Sequence, residues 1–180
     1  EDRHMNFQIC GEGIRLQQKC RRLAADFATR AATHDRKASH PLENYAALRR
    51  EGFYALNVPK EKGGGGVGLL GHSLAVEELA QGCSATTLSF NMHLSIVGPL
   101  LESPTVPPLT NQRIVDLVVK EQKLIAGNFS EPSMSGLLGT YQPSARARRV
   151  AGGYQITGTK AFASMLEAAD CCAGASRRSR

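Results

Sequence analysis

No stretch of this 180-residue chain approaches the roughly 18 uninterrupted apolar residues that a bilayer-spanning helix needs. The longest apolar region, residues 94–101, is cut by Gly98 and Pro99, so a membrane-spanning protein of the helical kind is excluded. The five cysteines (Cys10, Cys20, Cys83, Cys171 and Cys172) are odd in number and show no CxxC spacing. This argues against a disulfide framework and a zinc site, and for a reducing, cytoplasmic setting. There is no initiator Met and no basic-then-apolar leader, so no secretory or organelle address is legible. Internal repeats are absent too. What is present is an ordinary globular composition, 42% hydrophobic and 21% charged with 18 Gly and 8 Pro, which excludes a wholly disordered chain. The net charge of +6 raises nucleic acid as a partner, but half of the excess belongs to Arg177, Arg178 and Arg180 at the end of the chain. The body of the protein is not basic enough to support that partner.

Hydrophobic spacing divides the chain into a helical and a strand-rich part. From residue 14 to 32, Leu16, Leu23, Phe27 and Ala31 form the stripe of an amphipathic helix. Pro41 opens a short second helix with Tyr45 and Leu48 on its buried side, and Gly52 is placed for a left-handed stop. An extended piece is expected over 53–58, followed by a flexible loop at Gly63, Gly64, Gly65 and Gly66. Helical spacing resumes at Leu70, Leu74 and Leu79, then from Thr86, where two apolar faces predict a buried helix. Residues 103–108 break the pattern, and Thr110 is placed to cap a further helix with Ile114, Leu117 and Val118. Short β-prone pieces follow at 124–129, 141–142, Val150, 154–157 and 160–164. The expected fold is α+β, an all-α helical domain over 1–122 followed by an incomplete β-barrel domain over 123–170. An irregular basic tail, 171–180, completes the chain.

Several chemistry-like strings fail on context. Gly66, Gly68 and Gly71 match the dinucleotide-binding GxGxxG pattern, but no strand leads into them and position 91, where an acid is needed, is Asn. Glu77 and Glu78 point about 100° apart on a helix and cannot share a catalytic site. His34, Asp35 and His40 have no metal-ligand spacing, and Arg146, Arg148 and Arg149 read as a solvated strand edge. More informative is the polar turn from Asn128 through Phe129, Ser130, Glu131 and Pro132 to Ser135 and Gly136, whose hydroxyls and free amides suit an anionic or heteroaromatic ligand. About thirty residues later a hairpin-like stretch over 152–164 ends in Phe162, Ala163 and Ser164.

The order of four pieces resembles the acyl-CoA dehydrogenase family: residues 48–64, 75–80, 125–132, and 152–164 followed by Ala169 and Asp170. The resemblance covers about residues 15 to 170. It implies a helical domain, a β-barrel domain and a C-terminal four-helix domain that hold FAD between them, in an enzyme of fatty-acid metabolism that oxidises acyl-CoA thioesters at Cα–Cβ. It implies that Ser130 hydrogen-bonds the flavin, with Phe129 beside it, and that Phe162, Ala163 and Ser164 pack along the isoalloxazine. Family members often carry Trp where Phe162 stands. Ser135 or Gly136 falls near the flavin pyrophosphate or the CoA moiety. The catalytic carboxylate belongs to the C-terminal domain, which finds no match here, and an electron-transfer partner and a homo-oligomer are implied for the complete enzyme. Nitroalkane oxidase and flavin monooxygenase share the scaffold and are the alternatives, beside a non-catalytic helical interaction module. The small, basic composition after Asp170 suggests a truncated or frame-shifted product.

Overall fold

The structure is a computed structural model that describes residues 9, 11–132 and 143–178. Its elements run α1 (Gly11–Lys37), α2 (Leu42–Arg50), α3 (Leu69–Ala80), α4 (Ser84–Glu102), α5 (Pro108–Val115), β1 (Ile125–Asn128), β2 (Arg146–Val150), β3 (Gly153–Thr157), β4 (Cys171–Gly174) and β5 (Arg177–Arg178). Helices precede strands, as the spacing predicts, and among the described residues the strands form no closed barrel. Two compact units divide within α4, between Asn91 and Met92. Among the described residues no helix is long and apolar enough to cross a membrane.

In the first unit α1 buries Cys20, Leu23, Ala24 and Phe27, the spacing of a single helical face. His34, Arg36 and Lys37 occupy its last turn, where cations meet the negative end of the helix dipole. Arg21 of α1 clamps Glu78 of α3 with two of its three guanidinium nitrogens, Nη2 at 2.8 Å and Nε at 3.0 Å, while Glu77 faces solvent. The adjacent glutamates are therefore a pairing and a solvated residue. Asn44 of α2, fully buried, accepts from Arg30 Nε at 2.6 Å and donates to the Thr86 hydroxyl at 2.8 Å, and Thr86 lies 3.2 Å from Cys83 Sγ. His34 contacts Ser39 and Glu43 while His40 stacks on Tyr45, so the two imidazoles share no site.

Two local expectations for this unit change. Residues 53–55 form a 3-10 turn, because Gly52 at φ 75° reverses the chain and lets the amide of Leu56 reach the Phe53 carbonyl at 3.0 Å. The glycine run is pinned rather than flexible. Gly65 donates to the Ala55 carbonyl at 2.9 Å, Gly66 to that of Val58 at 2.8 Å, and Val67 to that of Leu56 at 3.0 Å. The GxGxxG string thus leads from a 3-10 turn into α3, with no strand before it.

Where α3 turns into α4 the backbone meets α1 closely enough that only glycine fits. A Cβ on Gly82 would lie 2.0 Å from the Ala24 carbonyl oxygen. Gly82→Ala is therefore expected to destabilise the helical unit by about 1–3 kcal/mol through forced backbone shifts. A melting temperature within a degree of wild type in circular dichroism would contradict that close approach.

The α4 helix is not buried on both sides. Phe90, Leu94 and Val97 are buried, whereas Leu88 is 67% exposed, since Ser84, Ala85 and Ser95 share its side of the helix. Pro107, not Thr110, precedes α5, and Thr110 falls inside it. Proline with its fixed φ takes the entry to the helix, which ends in a wider π turn, Asp116–Lys120.

In the second unit β1 pairs in parallel with β4, with Ile125 opposite Cys171 and Asn128 opposite Gly174. A three-stranded sheet has the order β3-β2-β5. The segment expected to be an irregular tail thus supplies two strands. Their signal is weak because small residues and arginines lack β-branching, and pairing with β1 and β2 decides their state. β2 is central at Arg146 and Ala147, where β5 joins it, and open on that side only from Arg148 onward. The expected strand over 160–164 is absent; the chain there is irregular and enters a turn. Residues 141–142 lie outside the described residues.

Candidate functional site

β1 carries its apolar residues inward and its polar end outward. Leu124, Ile125 and Ala126 are buried, and the amide of Ile125 donates to Nδ1 of the fully buried His93 at 3.0 Å. A Cβ on Gly127 would lie 2.7 Å from Ile96, so the strand runs close against α4 there. Past Asn128 the strand emerges at Phe129, 38% exposed, and Ser130, half-buried.

The structure brings the two motif segments together at this point. Ala161 donates its amide to the Ser130 carbonyl at 3.0 Å, tying the end of β1 to the start of the segment that carries Phe162, Ala163 and Ser164. Phe162 is 88% exposed and held at φ 56°, an unusual conformation for an aromatic residue, so its ring faces solvent. Ala163 and Ser164 are half-buried, and Ser164 opens the turn that follows. Ser135 and Gly136 lie outside the described residues.

Sequence reasoning passed over the residue that holds this corner. Glu131 is 3% exposed, and its carboxylate accepts from Lys160 Nζ at 2.7 Å, from the amides of Ser144 at 2.8 Å and Ala145 at 3.1 Å, and from the Ser144 hydroxyl. Lys160 also donates to the Ala175 carbonyl at 2.6 Å and lies 3.5 Å from that of Phe129. The Lys160 ammonium and then the Ser144 hydroxyl hold the Glu131 carboxyl well below the usual carboxylate range, aided by the two amides and opposed by burial. With the folded value below the unfolded one of about 4.3, the stabilisation is complete above that pH and disappears as pH falls through the lower folded value. Acid titration followed by circular dichroism should show the β segments intact at about pH 4 and loosening below it. Glu131→Gln should flatten that acid limb, and an unchanged limb would assign it to other groups.

The residues present fit the edge of a flavin ring on two observations. One is the solvent-facing Phe162 ring beside the hydroxyl-bearing strand end. The other is Asn128 Oδ1, buried without a hydrogen-bond partner and so an acceptor awaiting a donor.

A profile described as acyl-CoA dehydrogenase, N-terminal domain, matches residues 12–105. The chain is 30% identical over 157 residues to a putative acyl-CoA dehydrogenase, YdbM, of Bacillus subtilis, covering 85% of this chain and 40% of that protein. It is likewise 30% identical over 153 residues to the bovine mitochondrial short-chain specific acyl-CoA dehydrogenase, covering 82% of the chain and 35% of the relative. Among solved structures, TdsC from Paenibacillus sp. A11-2 in complex with FMN and indole superposes with a TM-score of 0.77 at 25% identity, over 92% of this chain and 40% of that one. The chain thus spans about two-fifths of the length of these relatives. TdsC is solved with FMN bound, both alone and together with indole. With the helical half matched to that domain and the strand-rich part following it in the expected order, the chain belongs to the acyl-CoA dehydrogenase family.

Proposed function

We propose that the chain supplies the helical domain and the flavin-edge strands of an FAD-dependent oxidoreductase that oxidises acyl-CoA thioesters at Cα–Cβ. The observation that supports this reading is the Ala161 to Ser130 hydrogen bond, which joins the two segments bearing Ser130, Phe162 and Ser164. FAD, when bound, supplies the redox chemistry, accepting hydride from the thioester. The chain's own residues bind and orient. Ser130 and Ser164 would present hydroxyls to the polar edge of the ring, Phe129 and Phe162 would cover its apolar area, and Ala163 leaves room between them. Ser135 or Gly136 would meet the flavin pyrophosphate or the CoA moiety. An electron-transfer partner and a homo-oligomer belong to the same reading, as does a division into a helical domain up to residue 122 and a β domain after it.

The test is FAD retention and reduction potential in the protein expressed from its full reading frame. Ser130→Ala and Ser164→Ala should each weaken FAD binding by about 0.5–1.5 kcal/mol, the usual worth of a neutral hydrogen bond. Arg148→Ala should leave both properties unchanged, since Arg148 is exposed on β2 and bonds Gln155. Equal affinity and potential in both serine variants and wild type would remove these residues from the flavin site.

A second reading, a flavin monooxygenase, is favoured by the superposition on TdsC, a dibenzothiophene monooxygenase. Anaerobic bleaching of the bound flavin by an acyl-CoA supports the dehydrogenase. Oxygen consumption that requires reduced flavin and an aromatic substrate supports the monooxygenase.

A further inference from the structure

We infer that Glu131 and Lys160 act as a positioning pair, setting residues 129–131 and 160–164 in one register so that Ser130, Phe162 and Ser164 address a single ligand. The inference rests on the flavin reading and deepens it.

The geometry is specific. Glu131 directly follows Ser130, and Lys160 directly precedes the Ala161 amide that bonds the Ser130 carbonyl at 3.0 Å. The ion pair at 2.7 Å and the backbone bond therefore lie side by side, and a shift of either segment breaks both. Lys160 Nζ has three protons, and three oxygens surround it, on Glu131, Ala175 and Phe129. The Glu131 carboxylate, with four donors, ties the same corner to Ser144 and Ala145 at the approach to β2. Three stretches distant in sequence thus meet at one carboxylate, next to the residues proposed to touch flavin.

Stability alone is a poor account of such a pair. Desolvating two charges costs about as much as their attraction returns, so an uncharged pair of similar size often folds equally well. What the uncharged pair lacks is direction. An ammonium with three committed bonds and a carboxylate with four fix the separation and angle of the segments they join, and the 88% exposed Phe162 has little packing of its own to fix it.

The experiment compares wild type, Glu131→Gln, Ser144→Ala and the uncharged double variant Glu131→Gln/Lys160→Met. Hydrogen exchange at the Ala161 amide is read on the 180-residue chain without flavin. FAD affinity and the flavin absorption spectrum are read on the protein expressed from its full reading frame. Glu131→Gln should speed Ala161 exchange on the order of tenfold and weaken FAD by a similar factor, while the amides of α1 and α3 exchange as before. Ser144→Ala, which keeps both charges, should act in the same direction with a smaller effect, and it carries the test if Glu131→Gln does not fold. The double variant should regain melting temperature but not the wild-type spectrum. Unchanged Ala161 exchange and spectrum in Glu131→Gln, or full recovery of both in the double variant, would overturn the inference. Wild-type protein that retains no FAD overturns the flavin reading instead, and that outcome is distinguished because no variant is needed to see it.

Discussion

The 180-residue chain, purified and supplied with FAD, a panel of acyl-CoA thioesters and an artificial electron acceptor, is expected to give no dehydrogenation above the free-flavin background. Proton abstraction next to a thioester needs a carboxylate that is near the reacting carbon and free to take up a proton. The stretch from Phe129 to Asp170 contains three carboxylates, Glu131, Glu167 and Asp170. Glu131 accepts from Lys160, Ser144 and Ala145, and the resulting lowering of its pKa makes it a weak base. Asp170 accepts the Leu124 amide at 2.8 Å and pairs with Lys123 at 3.2 Å. Glu167 is exposed on the turn after Ser164, with no wall to keep water from the reaction. Turnover above background would place the base within this chain and refute the assignment of that role to the C-terminal domain.

Replacing Asn44 should produce the largest loss of stability. Its side chain is fully buried and serves two partners on different helices, Arg30 on α1 and Thr86 on α4. Asn44→Leu keeps the volume but leaves the Arg30 Nε–H and the Thr86 hydroxyl without that partner. Each stranded group costs about 1–3 kcal/mol, which gives a total of roughly 2–6 kcal/mol. Arg30 still reaches Asp26 with its terminal nitrogens, so the charge itself is not abandoned. Thr86→Val should act in the same direction with about half the effect. A urea midpoint for Asn44→Leu equal to that of wild type would show that water or rearrangement replaces both bonds.

The helical half was legible because its information is local. Cys20, Leu23, Ala24 and Phe27 repeat with the period of one helical face, and Gly52 announces its own left-handed geometry. The strand-rich half was legible as composition and as family pattern, less so as pairing. Nothing within residues 171–178 specifies a strand; β4 exists because β1 offers it an edge, and sequence periodicity carries no record of a partner so far away. The glycine run misled for a similar reason, since the amides of Gly65, Gly66 and the following Val67 go to carbonyls of residues 55–58. At the candidate site, Ser130, Phe162 and Ser164 were named from motif, and the Ala161 amide joins their segments. Glu131 and Lys160 were inside quoted motifs yet overlooked, because a bond across 29 residues leaves no local trace. Ser135 and Gly136 remain expectations outside the described residues.

The parallel pairing of β1 with β4 also orders events during synthesis. Helix α1 holds its contacts with α2 and α3 before β1 emerges, but Leu124 finds its Asp170 acceptor only 46 residues later in the chain. At about 5–20 residues per second, translation exposes the apolar start of β1 for roughly 2–9 s before that partner exists. Ribosome-bound chains stalled before residue 170 should therefore recruit holdase chaperones, and those stalled far enough past Gly174 for β4 to clear the exit tunnel should release them.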